Sequence, residues 1–254
     1  MTAYKLGALK DKEDGKDHLY GNTMHSIDLP SVVDHQPFMS IVKSQGARSA
    51  CVAFALCAIK EYQEIRQRNF RGTFDLSEEF LYSFIQEEGG GAYPRNACEV
   101  LRKIGVATEE QYPWNKYIKS DLERLETPDK KDKLLYRTAK RLAISRYIRL
   151  HTLEDIMQSL TVNGPCLLGM KWWNNWSKDE LSGYPVLDEG SGTYGGHAIC
   201  IVGFDRTARM FKIRNSWGSS WGKRGYAFLT FDAVAEYAWD IWAVFDKPHP
   251  LMKK

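Results

Sequence analysis

The sequence lacks any apolar run long enough to cross a membrane. In its 254 residues, no stretch approaches the roughly 20 apolar positions that span a bilayer. The first twenty residues are interrupted by charges from Lys5 to Asp14, so they also lack the apolar core of a signal peptide. We therefore expect no membrane partner and a cytoplasmic location, with signal-independent export as an effector as the alternative.

The chain also lacks an excess of either charge. Its 35 basic and 32 acidic side chains give a formal net charge of +3, and the two signs are interleaved, as in residues 129–133. Interleaved charges of this kind are typical of a solvated face. A nucleic-acid partner, which requires a strongly basic surface, is therefore not expected.

Metal-binding spacings are absent as well. The cysteines form no Cys-x-x-Cys pair and no His-x-x-x-His spacing accompanies them, so no metal site is predicted. An odd number of cysteines argues against a complete disulfide framework, and buried free cysteine behaves as a small hydrophobic residue. We expect a reduced protein that needs no cofactor, whose cysteines are Cys51, Cys57, Cys98, Cys166 and Cys200.

What the chain does contain is a set of side chains suited to thiol catalysis. Cys51 opens an apolar helical stretch, six residues after Gln45. His197 follows two glycines, and Asn215 ends a strand-like run before Ser-Trp-Gly. A cysteine nucleophile requires a base, a group that orients the base, and donors for the oxyanion. Cys51, His197, Asn215 and Gln45 match these roles in that order, which predicts a thiol hydrolase.

Each of these residues also has a more ordinary interpretation. A lone cysteine in an apolar run is usually a core residue, and a lone histidine is more often a satisfied core or loop side chain. Asn215 alone would be a turn residue, and Gln45 a surface residue. Their joint occurrence favours catalysis, in which the helix start and the His197 partner would give Cys51 a thiolate of low pKa.

The first half of the chain is predicted to be helical. Ser49 is expected to cap a helix that ends near Arg68. Ser77 is expected to cap a second helix, which a run of glycines ends. Pro94 should begin a third helix that stops at Gly105.

The second half is predicted to be rich in strands. Thr152 and Asp155 form a capping-box pair that opens a short helix before Gly164-Pro165. Helices followed by strands indicate an α+β fold. The predicted strands cover residues 166–173, 197–204, 210–215 and 226–231.

From residue 29 to residue 231 the sequence resembles the papain-like cysteine peptidases. In that family a glutamine precedes the nucleophile by six positions, as Gln45 precedes Cys51. Residues 215–226 match the family pattern Asn-Ser-Trp-Gly-x-x-Trp-Gly-x-x-Gly-Tyr at every fixed position. Two further segments resemble the family, Leu-Ser-Glu-Glu at 76–79 and Gly-Ala-Tyr-Pro at 91–94.

Three positions depart from the familiar members of the family. Arg48 stands where secreted members carry a disulfide cysteine, and Val52 replaces an aromatic residue. Gly196 precedes His197 where some members have an aspartate. These differences resemble a prokaryotic, disulfide-lacking branch.

The resemblance implies one peptidase domain with two lobes and a cleft between them. Residues 26–140 would form a mainly helical left lobe, with the first of them crossing to the right lobe. Residues 141–254 would form an antiparallel, β-barrel-like right lobe. The charged stretch 116–141 is expected to be a helical excursion between the lobes. Residues 1–25 are expected to be a flexible extension, or at most a strap that inhibits weakly.

The resemblance also implies the roles of the site residues. Cys51 would attack the scissile carbonyl, His197 would act as base and then as acid, and Asn215 would orient His197. Gln45 and the Cys51 N–H would hold the oxyanion. The expected partner of this monomer is a peptide or protein substrate. Its binding would involve Gly91, Ala92, Tyr93, Pro94, Leu168, Gly169, Gly196 and Trp217.

Alternatives remain open at the level of sequence. A transpeptidase, deamidase or amide hydrolase uses the same thiol chemistry with another acceptor or substrate. A catalytically silent peptide-binding module would reuse the cleft, although such a protein is expected to lose one of the four residues. The tryptophan-rich stretch 172–176 is either a sugar or ligand site or ordinary packing at the lobe edge.

Overall fold

The computed structural model of the chain describes residues 4–15, 17, 27–68, 74–115, 118–119, 124–177 and 179–247. Among these residues there is no helix with the length and apolar character needed to span a bilayer. The same residues contain no group of His, Cys, Asp and Glu side chains arranged to hold a metal ion.

Three helices lie in the first half of the described chain and three follow later. They are α1 (Cys51–Arg68), α2 (Glu78–Ile85), α3 (Pro94–Lys103), α4 (Lys133–Arg141), α5 (Leu153–Val162) and α6 (Phe231–Tyr237). The Ser77 side chain accepts the N–H of Phe80 at the start of α2, and Thr152 and Asp155 form the capping box of α5. Both predicted caps are therefore confirmed.

Most strands of the described chain belong to one sheet. The strands are β1 (Val32–Asp34), β2 (Ile118–Lys119), β3 (Arg124–Leu125), β4 (Ile144–Arg149), β5 (Cys166–Trp176), β6 (Asp179–Leu181), β7 (Tyr184–Leu187), β8 (Gly190–Asp205), β9 (Met210–Arg214), β10 (Tyr226–Thr230) and β11 (Ala238–Asp246). Their order is β4-β11-β5-β8-β9-β10-β7-β6, with β1 beside β8, while β2 and β3 pair separately. The four predicted strands correspond to β5, β8, β9 and β10.

The α+β class is confirmed, but the antiparallel, barrel-like sheet needs a correction. The strand order is an open path that ends at β4 and β6, and β7 pairs with β10 in parallel. The parallel pair arises at a tight turn. Ser182 and Gly183, both at positive φ, return β6 into β7, which then runs in the direction of β10.

Two hydrophobic cores support the two-lobed arrangement. One gathers the inner faces of α1, α2 and α3, and the other lies between the strands, α5 and α6. Successive residues of β5 alternate between them, because Leu167 packs in the helical core and Leu168 in the strand core. The predicted residue boundaries of the lobes stay predictions.

Helix α1 runs through the centre of the helical core. Every residue from 51 to 59 is buried, as its apolar sequence predicts. The helix begins at Cys51, so the predicted Ser49 cap is wrong by one position. Ser49 instead lies against Gly7 of the N-terminal segment. A Cβ added to Gly7 would come within 2.3 Å of the Ser49 carbonyl oxygen.

The stretch 116–141 is helical only at its end, which corrects the expected helical excursion. Helix α4 begins after Asp132, whose side chain accepts the N–H of Leu135. Before it come β2, β3 and a segment without helix, where Pro128 disfavours helical backbone at the preceding residue. Residues 116–117 and 120–123 lie outside the described part of the chain.

Candidate active site

The start of α1 packs against β8, which brings Cys51 and His197 to the same place. Both residues are fully buried. The backbone N–H of Ala198, the residue after His197, donates to the Cys51 thiol. The structure therefore joins two of the predicted site residues, which lie far apart in sequence.

His197 and Asn215 form a hydrogen bond whose direction determines the tautomer. His197 Nε2 lies 2.9 Å from Asn215 Oδ1, and an amide oxygen can only accept. Nε2 must therefore carry the proton, and Nδ1 of the neutral ring holds a lone pair. Nδ1 is buried without a hydrogen-bond partner among the described residues, so it is free to take a proton.

Aromatic rings enclose the imidazole of His197. The Trp217 ring stacks on it at 4.8 Å between centroids, and the Trp172 ring meets it edge-on at 4.9 Å. Trp217 and Trp172 thus shield the His197 ring, and with it the hydrogen bond to Asn215, from water. Exclusion of water strengthens that hydrogen bond by lowering the local dielectric constant.

Gln45 is held rigidly with its amide N–H₂ toward the cleft. Its Oε1 accepts from the Ser216 hydroxyl at 2.6 Å, and its backbone N–H donates to the Ser216 carbonyl. Its Nε2 donates to the carbonyls of Arg48 at 2.6 Å and of Lys5 at 2.8 Å. The Lys5 carbonyl, which belongs to the N-terminal segment, therefore already accepts from Gln45 Nε2, the predicted oxyanion donor.

Residues 4–13, here called the strap, enter the cleft, which for this segment favours the expected strap over a flexible extension. The N–H groups of Gly7 and Ala8 donate to the Gly196 carbonyl at 2.8 and 2.9 Å. Ala92 donates to the Gly7 carbonyl and accepts from Leu9, so the strap pairs with it in parallel. Charge and glycine content predicted flexibility, but this backbone pairing orders the strap. Residues 1–3, 16 and 18–26 lie outside the described chain.

An ion cluster anchors the end of the strap. The buried Asp11 carboxylate accepts from the Arg95 backbone N–H and from the indole of Trp242. Arg149 lies 3.7 Å from Asp11 Oδ2 and binds Asp240 at 2.7 Å. The cluster fixes the strap after it leaves the cleft. No sequence pattern indicated it, because its members come from distant parts of the chain.

Burial favours the neutral forms of Cys51 and His197 in this structure. It raises the pKa of the Cys51 thiol to about 11 and lowers the pKa of His197 to about 4, because both charged forms lose solvation. The predicted thiolate of low pKa is therefore not the form that burial favours here, and for an open cleft it stays a prediction. Burial also raises the pKa of the other four cysteines, Cys57, Cys98, Cys166 and Cys200.

Most residues of the predicted substrate-binding set line the path of the strap. Gly91 and Gly196 approach it so closely that an added Cβ would come within 2.7 Å of Gly7 O and 1.8 Å of Ala8 O, respectively. Ala92 supplies the backbone pairing described above, and Tyr93 holds the N-cap position of α3.

On the side of the cleft opposite Gly91 and Ala92, one predicted substrate-binding residue needs a correction. Gly169 faces Pro94, whose Cγ would lie 3.4 Å from an added Cβ. Leu168 does not line the pocket, because the alternation of β5 turns it into the strand core. Trp239, which the sequence analysis did not identify, also packs against Gly169. Its Nε1 would lie 3.1 Å from a Cβ added to Gly169.

Comparisons with known proteins give matches over most of the chain. A family model described as papain family cysteine protease matches residues 26–238. The chain is 26% identical to an uncharacterized peptidase C1-like protein of Acanthamoeba polyphaga mimivirus, over 89% of this chain and 76% of that protein. It is also 26% identical to peptidase 1 of Euroglyphus maynei, over 90% of this chain and 70% of that protein.

Solved structures resemble the chain over a similar extent. Xylellain, a cysteine protease from Xylella fastidiosa, has a TM-score of 0.75 and 26% identity, covering 95% of this chain and 96% of that one. The bromelain protease from Ananas comosus, solved with the E64 inhibitor, has a TM-score of 0.64 and 20% identity. The match covers 86% of this chain and 100% of that one. The bromelain likeness concerns the fold alone.

Proposed function

Because the chain belongs to the papain family of cysteine proteases and has the fold of its solved members, we propose that this cysteine-type peptidase hydrolyses peptide bonds through an acyl-enzyme on Cys51. His197 is its acid–base partner, Asn215 positions His197, and Gln45 is an oxyanion donor. One observation carries the proposal. The Asn215 hydrogen bond leaves a buried Nδ1 on His197 that has no partner among the described residues, while the next residue, Ala198, hydrogen-bonds through its backbone to the Cys51 thiol.

Acylation begins when the cleft is open and holds a substrate. His197 Nδ1 takes the thiol proton, and Cys51 Sγ attacks the scissile carbonyl carbon. The carbonyl oxygen becomes an oxyanion that accepts from Gln45 Nε2 and the Cys51 N–H. When the C–N bond breaks, protonated His197 gives its proton to the leaving amine, and a thioester remains on Cys51.

Deacylation repeats these steps with water. His197 Nδ1 removes a proton from a water molecule, whose oxygen attacks the thioester carbonyl carbon. The second oxyanion accepts from the same donors. The C–S bond then breaks and the proton on His197 returns to Cys51. The carboxylic acid product gives its remaining proton to solvent and leaves as a carboxylate. Asn215 keeps Nε2 protonated throughout, so Nδ1 alone exchanges protons.

A transpeptidase or deamidase would use the same acyl-enzyme with another acceptor or substrate, and product analysis separates these reactions. We expect a defined peptide mixture incubated with the protein in H₂¹⁸O to yield shorter peptides. Each new carboxyl terminus should carry ¹⁸O, detected by mass spectrometry. Ligated peptides without ¹⁸O would instead identify a transpeptidase. Conversion of side-chain amides without chain cleavage would identify a deamidase.

The strap should slow catalysis, because substrate reaches Cys51 only when the cleft is open. A Cβ on Gly7 would lie 2.3 Å from Ser49 O, so Gly7→Val should undock the strap. We expect kcat/KM on a peptide to rise by about tenfold or more, because activity scales with the open fraction. Gly15→Val is the matched control, since nothing lies within 4 Å of a Cβ there. Equal values for both variants would contradict a covering strap.

The effect of Gly7→Val should depend on pH through Asp11. Burial, and then the charge of Asp240, raise the pKa of docked Asp11 from 3.8 to about 6. Docking is therefore favoured by protonation, an effect fully present below the free value and lost as pH rises through the docked value. The ratio of kcat/KM between Gly7→Val and wild type should be larger at pH 5 than at pH 8. Asp11→Asn should flatten this dependence.

A further inference from the structure

We propose that Arg48 is a positioning residue, which holds the Gln45 amide in the orientation that the oxyanion requires. This inference rests on the proposed function, in which Gln45 is the oxyanion donor. Arg48 is one of the positions at which the chain departs from the familiar members of the family, so the resemblance assigns it no role. Its main chain contacts Gln45, and its side chain fixes that main chain.

The two hydrogens on the Gln45 amide nitrogen have different roles. One donates to the carbonyl of Lys5 in the strap at 2.8 Å, and a substrate oxygen would accept it once the strap has left. The other donates to the Arg48 carbonyl at 2.6 Å. Because the amide is planar, this second bond and the Ser216 hydroxyl on Oε1 together fix the direction of the first. The place of the Arg48 carbonyl therefore determines where the oxyanion donor points.

The loop that carries the Arg48 carbonyl has little support from its own backbone. Its turn bond, from the Arg48 N–H to the Gln45 carbonyl, is long at 3.4 Å. A Cβ on Gly46 would meet nothing within 4 Å, and Ala47 is exposed. The Arg48 side chain, in contrast, is only 11% exposed. It supplies the support that the loop itself lacks.

The Arg48 guanidinium is held from two directions. Its Nη1 donates to Glu79 Oε2 at 2.6 Å, and its Cζ lies over the Trp114 ring, 3.9 Å from the centroid. An arginine combines both contacts well, because its charged group is planar and meets a carboxylate and an aromatic face at the same time. The side chain therefore cannot shift without losing one of the two contacts.

Both partners of Arg48 are anchored in the helical core. Glu79 is fully buried in the first turn of α2, where the helix dipole favours a carboxylate, and it also accepts the N–H of Asn115 at 3.2 Å. The Trp114 ring meets Phe54 of α1 edge-on at 4.8 Å. Arg48 thus ties the loop of the oxyanion donor to the two helices that form the lobe.

Stability alone does not account for the Arg48–Glu79 pair. Arg48 Nε and Nη2 and Glu79 Oε1 are buried without a hydrogen-bond partner in the described chain, and such groups lower the free energy of unfolding. A buried ion pair is often no more stabilising than apolar residues of the same shape. Apolar side chains would not give the loop a fixed direction, and this direction is what Gln45 requires.

A double-mutant cycle on the full chain separates positioning from folding. We expect Arg48→Met to lower kcat on a peptide about tenfold with KM within about twofold, because a misdirected donor weakens oxyanion binding more than substrate binding. In the Gln45→Ala background the same substitution should change kcat by less than about twofold, since the group that it positions is already absent. The kcat values are read at saturating peptide, where competition from the strap no longer enters.

Three further variants keep the cycle interpretable. Arg48→Met combined with Glu79→Gln leaves no buried charge unpaired, so it replaces Arg48→Met in the cycle if the single variant fails to fold. Arg48→Lys keeps the charge but not the planar group, and it should lose less kcat than Arg48→Met. Arg209→Met is the matched control. Arg209 also pairs with an acid, Asp232 at 3.0 Å, and lies over the Phe231 ring, and its loss should leave kcat unchanged.

An unchanged kcat in Arg48→Met, or losses that multiply in the double variant with Gln45→Ala, would overturn the role. A wild-type chain that cleaves no peptide contradicts the proposed function instead, and NMR of ¹⁵N-glutamine-labelled protein then tests Arg48. The Gln45 amide signals, identified by their absence in Gln45→Ala, should shift and exchange hydrogen with water faster in Arg48→Met/Glu79→Gln. Signals with wild-type shifts and exchange rates would overturn the inference.

Discussion

Cys51→Ala is expected to abolish peptide hydrolysis, with His197→Ala nearly as severe. The two side chains act as a unit, since the thiol needs the imidazole to take its proton and the leaving amine needs the proton back. Removing either member should lower kcat by a factor on the order of 10⁴ or more, because neither can do its work alone. Turnover of a quenched-fluorescence peptide measures the loss.

Cys166→Ala is the matched control for this prediction. Cys166 is equally buried but packs in the strand core of β5. Its removal should affect stability slightly and leave kcat within about twofold of wild type, because surface or core changes away from the site rarely alter chemistry. The double variant Cys51→Ala/His197→Ala should be no worse than either single one. Additive losses would contradict a shared catalytic unit.

Gln45→Ala is expected to lower kcat by a factor on the order of 10²–10³ while changing KM little. The lost N–H is needed most when the carbonyl oxygen becomes an oxyanion, so the effect should fall on the transition state rather than on substrate binding. The structure already pairs this N–H with the carbonyl of Lys5 at 2.8 Å. Steady-state kinetics on one peptide would separate kcat from KM.

Two companion variants sharpen the Gln45 prediction. Gln45→Glu keeps the shape but replaces the donor with a carboxylate, so it should be at least as harmful as Gln45→Ala. Ser216→Ala removes only the hydroxyl that holds Gln45 Oε1 and should cost less, because the donor itself remains. Full-rate turnover by a folded Gln45→Ala enzyme, with wild-type circular dichroism, would refute the oxyanion assignment.

The candidate site residues could be proposed from the sequence because thiol chemistry restricts both residue type and order along the chain. Gln45, Cys51, His197 and Asn215 are recognisable from their local motifs, and the fold had only to bring them together. Which of the two cores the Leu168 side chain enters was not predictable. In β5 both faces are buried, so the apolar sequence does not show which core each side chain enters.

The contacts that dock the strap could not be predicted from its own sequence. Its apolar residues are too few to form a core, and its order depends on partners far along the chain, such as Ala92, Gly196 and Arg149. The raised pKa of Cys51 and the lowered pKa of His197 arise from burial, which also depends on distant parts of the chain. Local sequence places a thiolate at a helix start, but it does not show that another segment removes the solvent.

Covalent trapping of Cys51 would show whether this thiol carries the acyl-enzyme. The Gly7→Val chain, in which the site should be open, would be incubated with an epoxide inhibitor of the E-64 type, digested and mapped by mass spectrometry. We expect one adduct per chain, on Cys51, and loss of turnover in proportion to labelling. The wild-type chain should react more slowly and at the same residue. A labelled chain that keeps its full activity, or an adduct at another cysteine, would contradict the account.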